Sequence, residues 1–185
     1  MYYIIGLTGR NASGKGTVAD LLKKRNFIYH SLSDTLREEL SQQKMEESRE
    51  NLIFIGNSLR SQGGPGVLAD LMVKNLITPN NHIVDSIRNP SEVHSLRSDY
   101  LEHKFVLISI DADPRTRFER LVKRDRKGDS NSWEQFVAQE KLEEASEDPN
   151  KQQLFNTIKE ADFNINNSGN LIDLENKLSS IIDNL

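Results

Sequence analysis

The chain has 185 residues, 36% hydrophobic and 28% charged, the composition of an ordinary globular protein with enough length for one domain and a full core. A net charge of -4 excludes a general nucleic-acid binder, which needs a basic footprint to displace counterions. The absence of cysteine excludes a disulfide framework, a thiolate zinc site and a catalytic thiol.

Short strand-like runs alternate with amphipathic helical ones, which predicts an α/β fold, a parallel sheet with helices on both faces. Residues 2–7 read as the first strand. The sequence before the first motif has no basic region or small-residue cleavage site, and no apolar stretch approaches the roughly 20 residues that span a bilayer. The expectation is a cytoplasmic protein with neither a membrane nor a nucleic-acid partner. A loop then leads into a helix from Lys15 to about Lys24, with Val18, Leu21 and Leu22 at helical spacing.

The loop carries the strongest signal, Gly9-Arg10-Asn11-Ala12-Ser13-Gly14-Lys15 between an apolar strand and a helix. Glycines let the backbone turn its N–H groups toward phosphate oxygens, and the following helix directs its positive end at them. Lys15 is positioned to reach the β and γ oxygens of a nucleotide. The candidate ATP-binding set is Gly9, Asn11, Ala12, Ser13, Gly14, Lys15, Gly16 and Thr17. The hydroxyl residue usual after the lysine is displaced by one place, to Thr17. Magnesium is therefore expected on water, nucleotide oxygens and a distant carboxylate.

A second strand is expected at residues 27–30, then a mostly helical segment, 34–77, interrupted at Gly63-Gly64-Pro65-Gly66. A kinase needs cationic groups to hold a second anion in line with the transferring phosphoryl group. This segment offers Asp34 at a helix start, Arg37 one turn later, and Arg60, all acceptor-side candidates. As a plain alternative, Asp34 is an N-cap and Arg37 a solvated helix residue.

A brief strand at residues 82–85 ends in Asp85, the magnesium-side candidate at the carboxyl edge of the sheet, where ligands of open α/β folds collect. Three residues on, Arg88 has the planar fork suited to clamping a phosphate. Residues 105–111 are the strongest strand, and Asp113-Pro114 starts a helix to about Lys123. Arg117, Arg120 and Arg124 share a face of that helix, and a charged stretch with Arg126 leads to the Ser132-x-x-Gln135 helix start. Residues 124–136 are the expected lid, with Arg124 and Arg126 neutralising charge in the transition state. Trp133 and Phe136 read as core contacts. A last strand is expected at 163–166, and a final helix presents Leu171, Leu174, Leu178, Ile181 and Ile182 on one side. The four histidines lack metal-ligand spacing.

Five segments together carry a family resemblance: residues 6–17, 33–39, 85–93, 111–120 and 161–169. The chain resembles the P-loop nucleoside monophosphate kinase group, of adenylate-kinase and dephospho-CoA-kinase type, and within it an archaeal nucleotide-kinase-like family and the kinase-like domain attached to some deoxycytidylate deaminases. The resemblance implies a three-layer P-loop fold of about five parallel strands with a helical acceptor-binding insertion. It further implies Thr17 at the α-phosphate, Arg37 and Arg88 facing the acceptor, Arg124 and Arg126 in a lid, and Asn167 and Gly169 in a turn beside the adenine. ATP and Mg2+ are the implied cofactors, and the implied partner is a small phosphate-bearing acceptor, with oligomeric state open. Where the group commonly has Asp-Gly-Ile-Arg, this chain has Asp85-Ser86-Ile87-Arg88. A dephospho-CoA kinase and a nucleotide-dependent switch with little catalysis stay open as alternatives.

Overall fold

The structure is a computed structural model; it describes residues 1–76, 79–98, 102–125, 129–144, 148 and 150–185, with 142–144 as backbone only. Its centre is a five-stranded parallel sheet of β1 (Tyr2–Thr8), β2 (Phe27–Ser31), β3 (Asn81–Asp85), β4 (His103–Asp111) and β5 (Phe163–Asn166), in the spatial order β2-β3-β1-β4-β5. Ile5 of β1 sits in register with Ile83 of β3 and with Val106 of β4. Because β1 is buried on both faces, it reads as an unbroken apolar run rather than an alternating one.

Alternation decides which face each side chain serves. Ile4, Val84 and Leu107 face α2 (Leu32–Gln42), α3 (Arg49–Gly63), α4 (Val67–Val73) and α5 (Pro90–Leu96), burying Leu32, Leu36, Ile55, Leu68 and Val93. Ile5, Ile83, Val106 and Ile108 face the other way, onto α1 (Lys15–Lys23) and α9 (Leu171–Ile182), with Val18, Leu22, Leu174 and Leu178. Each such side chain contributes about 1.5–3 kcal/mol on leaving water, so the two clusters fix the sheet between its helical layers. α6 (Pro114–Arg124), α7 (Trp133–Glu144) and α8 (Leu154–Lys159) connect β4 to β5.

Several local expectations change. The helix after β2 is capped by Ser31, whose Oγ accepts from Ser33 N at 3.3 Å, so Asp34 lies inside α2. The mostly helical segment before the glycines consists of two helices: Lys44 adopts φ 55° after α2, and Ser48 caps α3 by accepting from Asn51 N at 3.1 Å. The next helix, expected to reach Ile77, ends at Val73, and residue 77 lies outside the described residues. Asp113 precedes α6 without a side-chain cap bond. α5 and α8 were not anticipated. α5 opens on a capping box formed by Asn89 and Glu92 with Pro90 in its first turn, a signal present in the sequence. In the last helix the stripe narrows to Leu174 and Leu178, while Leu171 is largely exposed.

Candidate active site

The strand order reverses direction at β1 and β3, which places their carboxyl ends at the switch point where open α/β sheets bind ligands. β1 delivers the glycine-rich loop there, and β3 delivers Asp85. The loop needs its glycines. Gly9 has φ 136°, and a Cβ there would stand 2.0 Å from Ile110 O; Gly14 has φ 106°, and a Cβ would stand 2.2 Å from Asn167 Nδ2. Gly16 is different, since a Cβ there meets nothing within 4 Å. The hydroxyl missing at that place is therefore not a consequence of crowding.

Lys15 Nζ donates to the carbonyls of Gly9 and Arg10, each at 2.9 Å, so the ammonium is held across the loop. Ser13 is fully buried, and its Oγ has no hydrogen-bond partner among the described residues. Two side chains from other elements brace the loop. Asn167, 6% exposed, donates from Nδ2 to Ser13 O at 2.8 Å, and Arg120 of α6 donates to Ser13 O at 3.3 Å and to Asn167 O at 2.8 Å. Arg124 reaches Asn11 Oδ1 at 3.1 Å while paired to Asp129 at 2.7 Å.

A cleft of about 640 Å³ opens over the loop, within the size range of small-molecule sites. It brings together Asn11, Ala12, Ser13, Gly14, Lys15, Gly16 and Thr17 with Asp85, Arg37, Arg60, Arg88 and Arg124. Thus five of the predicted charged residues, from four separate stretches of chain, meet on one surface with the phosphate loop. Four predicted residues do not line it. Gly9 lies at the root of the loop, Asp34 is spent on Arg37 at 2.7 Å, Asn167 works from behind the loop, and Gly169 sits in the turn before α9 beside Asp173. Arg126 lies outside the described residues.

Asp85 is 7% exposed and accepts from Tyr29 Oη at 3.1 Å and from Ser86 N at 2.5 Å. Burial, then the Asp85 charge, pushes the Tyr29 phenol up to about 12, so it stays a donor at neutral pH. Ser86 stands at φ 68°, the left-handed conformation that favours glycine. Arg37 is bound to Glu47 at 2.9 Å as well as to Asp34, and the Glu47 hydrogen bond raises its already high pKa. Arg60 is held in a buried pair with Glu92 at 2.7 Å.

Arg117 departs from its helix neighbours. It is 2% exposed, donates to Ala112 O at 2.8 Å, forks onto Glu140 and lies over the Phe136 ring, a packing role. Phe136 is buried, as expected of a core contact, and lies tilted against Phe118, while Trp133 meets Phe118 edge-on and is only partly buried. Sequence reasoning missed Arg120 as a brace, and Tyr29, Glu92 and Gln152 altogether. The Asn89-Pro90-x-Glu92 pattern was the available signal for Glu92.

The sheet order, the loop and the cleft define a P-loop kinase-like α/β protein. The chain belongs to the AAA domain family AAA_18, whose profile matches residues 5–148, and to the UPF0200 proteins. It is 34% identical over 144 residues to the UPF0200 protein of Pyrococcus abyssi, covering 76% of this chain and 77% of that one. The UPF0200 protein of Methanocaldococcus jannaschii is 33% identical over 187 aligned residues, covering 98% of this chain and 90% of its own. Among solved structures, TT1252 of Thermus thermophilus superposes with a TM-score of 0.64 at 21% identity, covering 100% of this chain and 98% of that one. A shikimate kinase of Bacteroides thetaiotaomicron gives 0.56 at 13% identity, covering 98% and 97%. At these identities the likeness is one of fold. Among the described residues, no helix is long and apolar enough to cross a membrane.

Proposed function

We propose that the protein is an ATP-dependent phosphotransferase whose acceptor is a small phosphate-bearing molecule, a nucleoside or deoxynucleoside monophosphate. The observation that carries this reading is the cleft in which the Lys15 loop shares its walls with Arg37, Arg88 and Arg124. A protein that only bound or hydrolysed a nucleotide has no use for a second cationic wall, whereas a kinase must hold two anions in line.

The residues fit the implied cofactors. The buried, partnerless Ser13 Oγ and the cradle whose glycines exclude a Cβ suit phosphate oxygens, and Asp85 takes no ion pair among the described residues, leaving its charge for a hydrated cation. ATP with magnesium supplies, when bound, the transferable phosphoryl group. Lys15 exchanges its loop carbonyls for phosphate oxygens. Arg120 and Asn167 keep the loop in shape, and Tyr29 orients the Asp85 carboxylate. Arg88 orients the acceptor anion, and Arg124 neutralises charge spreading on the moving group, with residues 124–136 as the lid and 34–77 as the acceptor-binding segment of one kinase domain. Thr17 lies in the cleft and suits the α-phosphate. The turn carrying Asn167 and Gly169 borders the adenine in this reading. No covalent enzyme intermediate is needed, because positioning and charge neutralisation supply the catalysis.

An ADP-release assay with ATP, magnesium and a panel of nucleoside monophosphates, deoxynucleoside monophosphates and dephospho-CoA tests the proposal. The expected result is one acceptor class that raises turnover well above ATP alone, and a loss of about a hundredfold or more in Lys15→Ala. Dephospho-CoA as the sole stimulant moves the acceptor assignment; a flat panel with intact ATP binding makes the protein a nucleotide-dependent switch.

A further inference from the structure

Arg60 is 3% exposed and Glu92 0%, a buried pair on α3 and α5. Arg60 Nε and Nη2 both donate to Glu92 Oε1, at 3.2 and 2.7 Å, while Glu92 Oε2 accepts from the backbone N–H groups of Arg88 and Asn89, at 2.8 and 3.1 Å. Both carboxylate oxygens are occupied and the guanidinium charge is balanced in place. One donor is left over. Arg60 Nη1 is buried, has no hydrogen-bond partner among the described residues, and belongs to a side chain lining the cleft.

Gln152 complements it. This residue also lines the cleft, and its Oε1 is buried without a partner among the described residues. Its neighbours tie it to the same turn that holds Glu92: Asn89 Nδ2 donates to Lys151 O at 3.0 Å, and Gln153 N donates to Arg88 O at 2.9 Å. A buried polar atom left unmatched costs free energy, so one unmatched donor and one unmatched acceptor, on two side chains that line one cleft, call for a ligand that satisfies both.

We infer that Arg60 and Gln152 read the edge of the acceptor's base, taking one that presents a carbonyl oxygen beside an N–H, the lactam edge of uracil or hypoxanthine. The inference rests on the reading of this cleft as the acceptor site. The carbonyl accepts from Arg60 Nη1, and the ring N–H donates to Gln152 Oε1. A neutral group is favoured over an anion at this point because Glu92 already balances the arginine. Leu36, Leu52, Ile53 and Leu68 line the same cleft and suit the faces of a planar ring. An amino-substituted base, such as cytosine or adenine, sets its own amino donor against the arginine donor and is rejected.

Calorimetric titration with two matched pairs, uridine against cytidine 5′-monophosphate and inosine against adenosine 5′-monophosphate, reads this edge whether or not phosphoryl transfer follows. The expected result is at least about tenfold tighter binding of the lactam member in the pair whose size the cleft accepts, with no reversal in the other. Gln152→Met removes the acceptor and abolishes the preference while ATP affinity is retained. Arg60→Lys keeps the charge facing Glu92, removes Nη1 and does the same. Equal binding within both pairs, a preference for the amino members, no binding of any of the four, or an undiminished preference in Gln152→Met overturns the inference. Lactam-selective binding without acceptor-dependent ADP formation upholds the edge reader and removes the kinase reading; acceptor-dependent ADP formation without discrimination does the reverse.

Discussion

At Ser86 a side chain occupies a backbone conformation that costs an L-residue about 1–2 kcal/mol. Its φ of 68° is held by the hydrogen bond from its own N–H to Asp85 Oδ1 at 2.5 Å and by the Ser31 hydroxyl at 3.3 Å. Glycine at this position would avoid the strain. Ser86→Gly should therefore stabilise the fold by a net of about 0.5–1 kcal/mol, the gain being trimmed by the greater freedom of glycine in the unfolded chain. Urea titration checks this, as a higher midpoint with unchanged slope. The departure from glycine was legible in the sequence, but its meaning was not, because only the backbone angle shows that this position is left-handed. Arg120 teaches the same lesson from the other direction. Its partner Ser13 lies 107 residues away, so spacing along the helix put three arginines on one face where the fold makes Arg117 a packing residue and leaves Arg120 and Arg124 at the cleft, the first of them bracing the loop.

At the level of elements, β1, β3 and β4 were readable because parallel strands buried on both faces are apolar in a run, while the partly exposed edge strands β2 and β5 were readable from the turn residues that bound them. α5 and α8 escaped because seven and six residues hold too few turns for a periodic stripe to stand out. The pairing of β2 with β3 carries a pH dependence of its own. His30 Nε2 and His82 Nδ1 share a hydrogen bond at 3.0 Å, which needs one nitrogen to be unprotonated. Burial first, then His82, lowers the His30 pKa from 6.5, with Asp34 opposing. The unfolded chain consequently takes up a proton before the folded one, so this contribution is full above about pH 6.5 and is lost as pH falls below it. His30→Gln should flatten that part of the acid limb in thermal unfolding measured from pH 7.5 down to about 5. An unchanged limb in the variant assigns the acid sensitivity elsewhere.

Across the whole molecule, the sequence is acidic while the cleft concentrates arginines beside the phosphate loop. That contrast suits a small anionic substrate, which needs cations only where it binds. The P-loop and the candidates Asp85, Arg37 and Arg88 could be picked from the sequence because phosphate chemistry places those residue types just after strand ends, and Arg60 and Arg124 because it calls for cations on the helices between them. Their convergence depended on the β2-β3-β1-β4-β5 order, which brings β1 and β3 side by side although 72 residues of sequence separate the end of one from the start of the other. Gln152 and Tyr29 stayed hidden, as their places in the cleft exist only through that order, and so did the pairing of Glu92 with Arg60.

The central claim is that a phosphoryl group passes directly between two ligands in this one cleft. Phosphorus NMR of the protein with ATP, magnesium and a stimulating monophosphate follows both products at once. The account predicts ADP and the acceptor's diphosphate rising in equal amounts, both abolished in Lys15→Ala; ADP accompanied by free inorganic phosphate, with the acceptor unchanged, would contradict it.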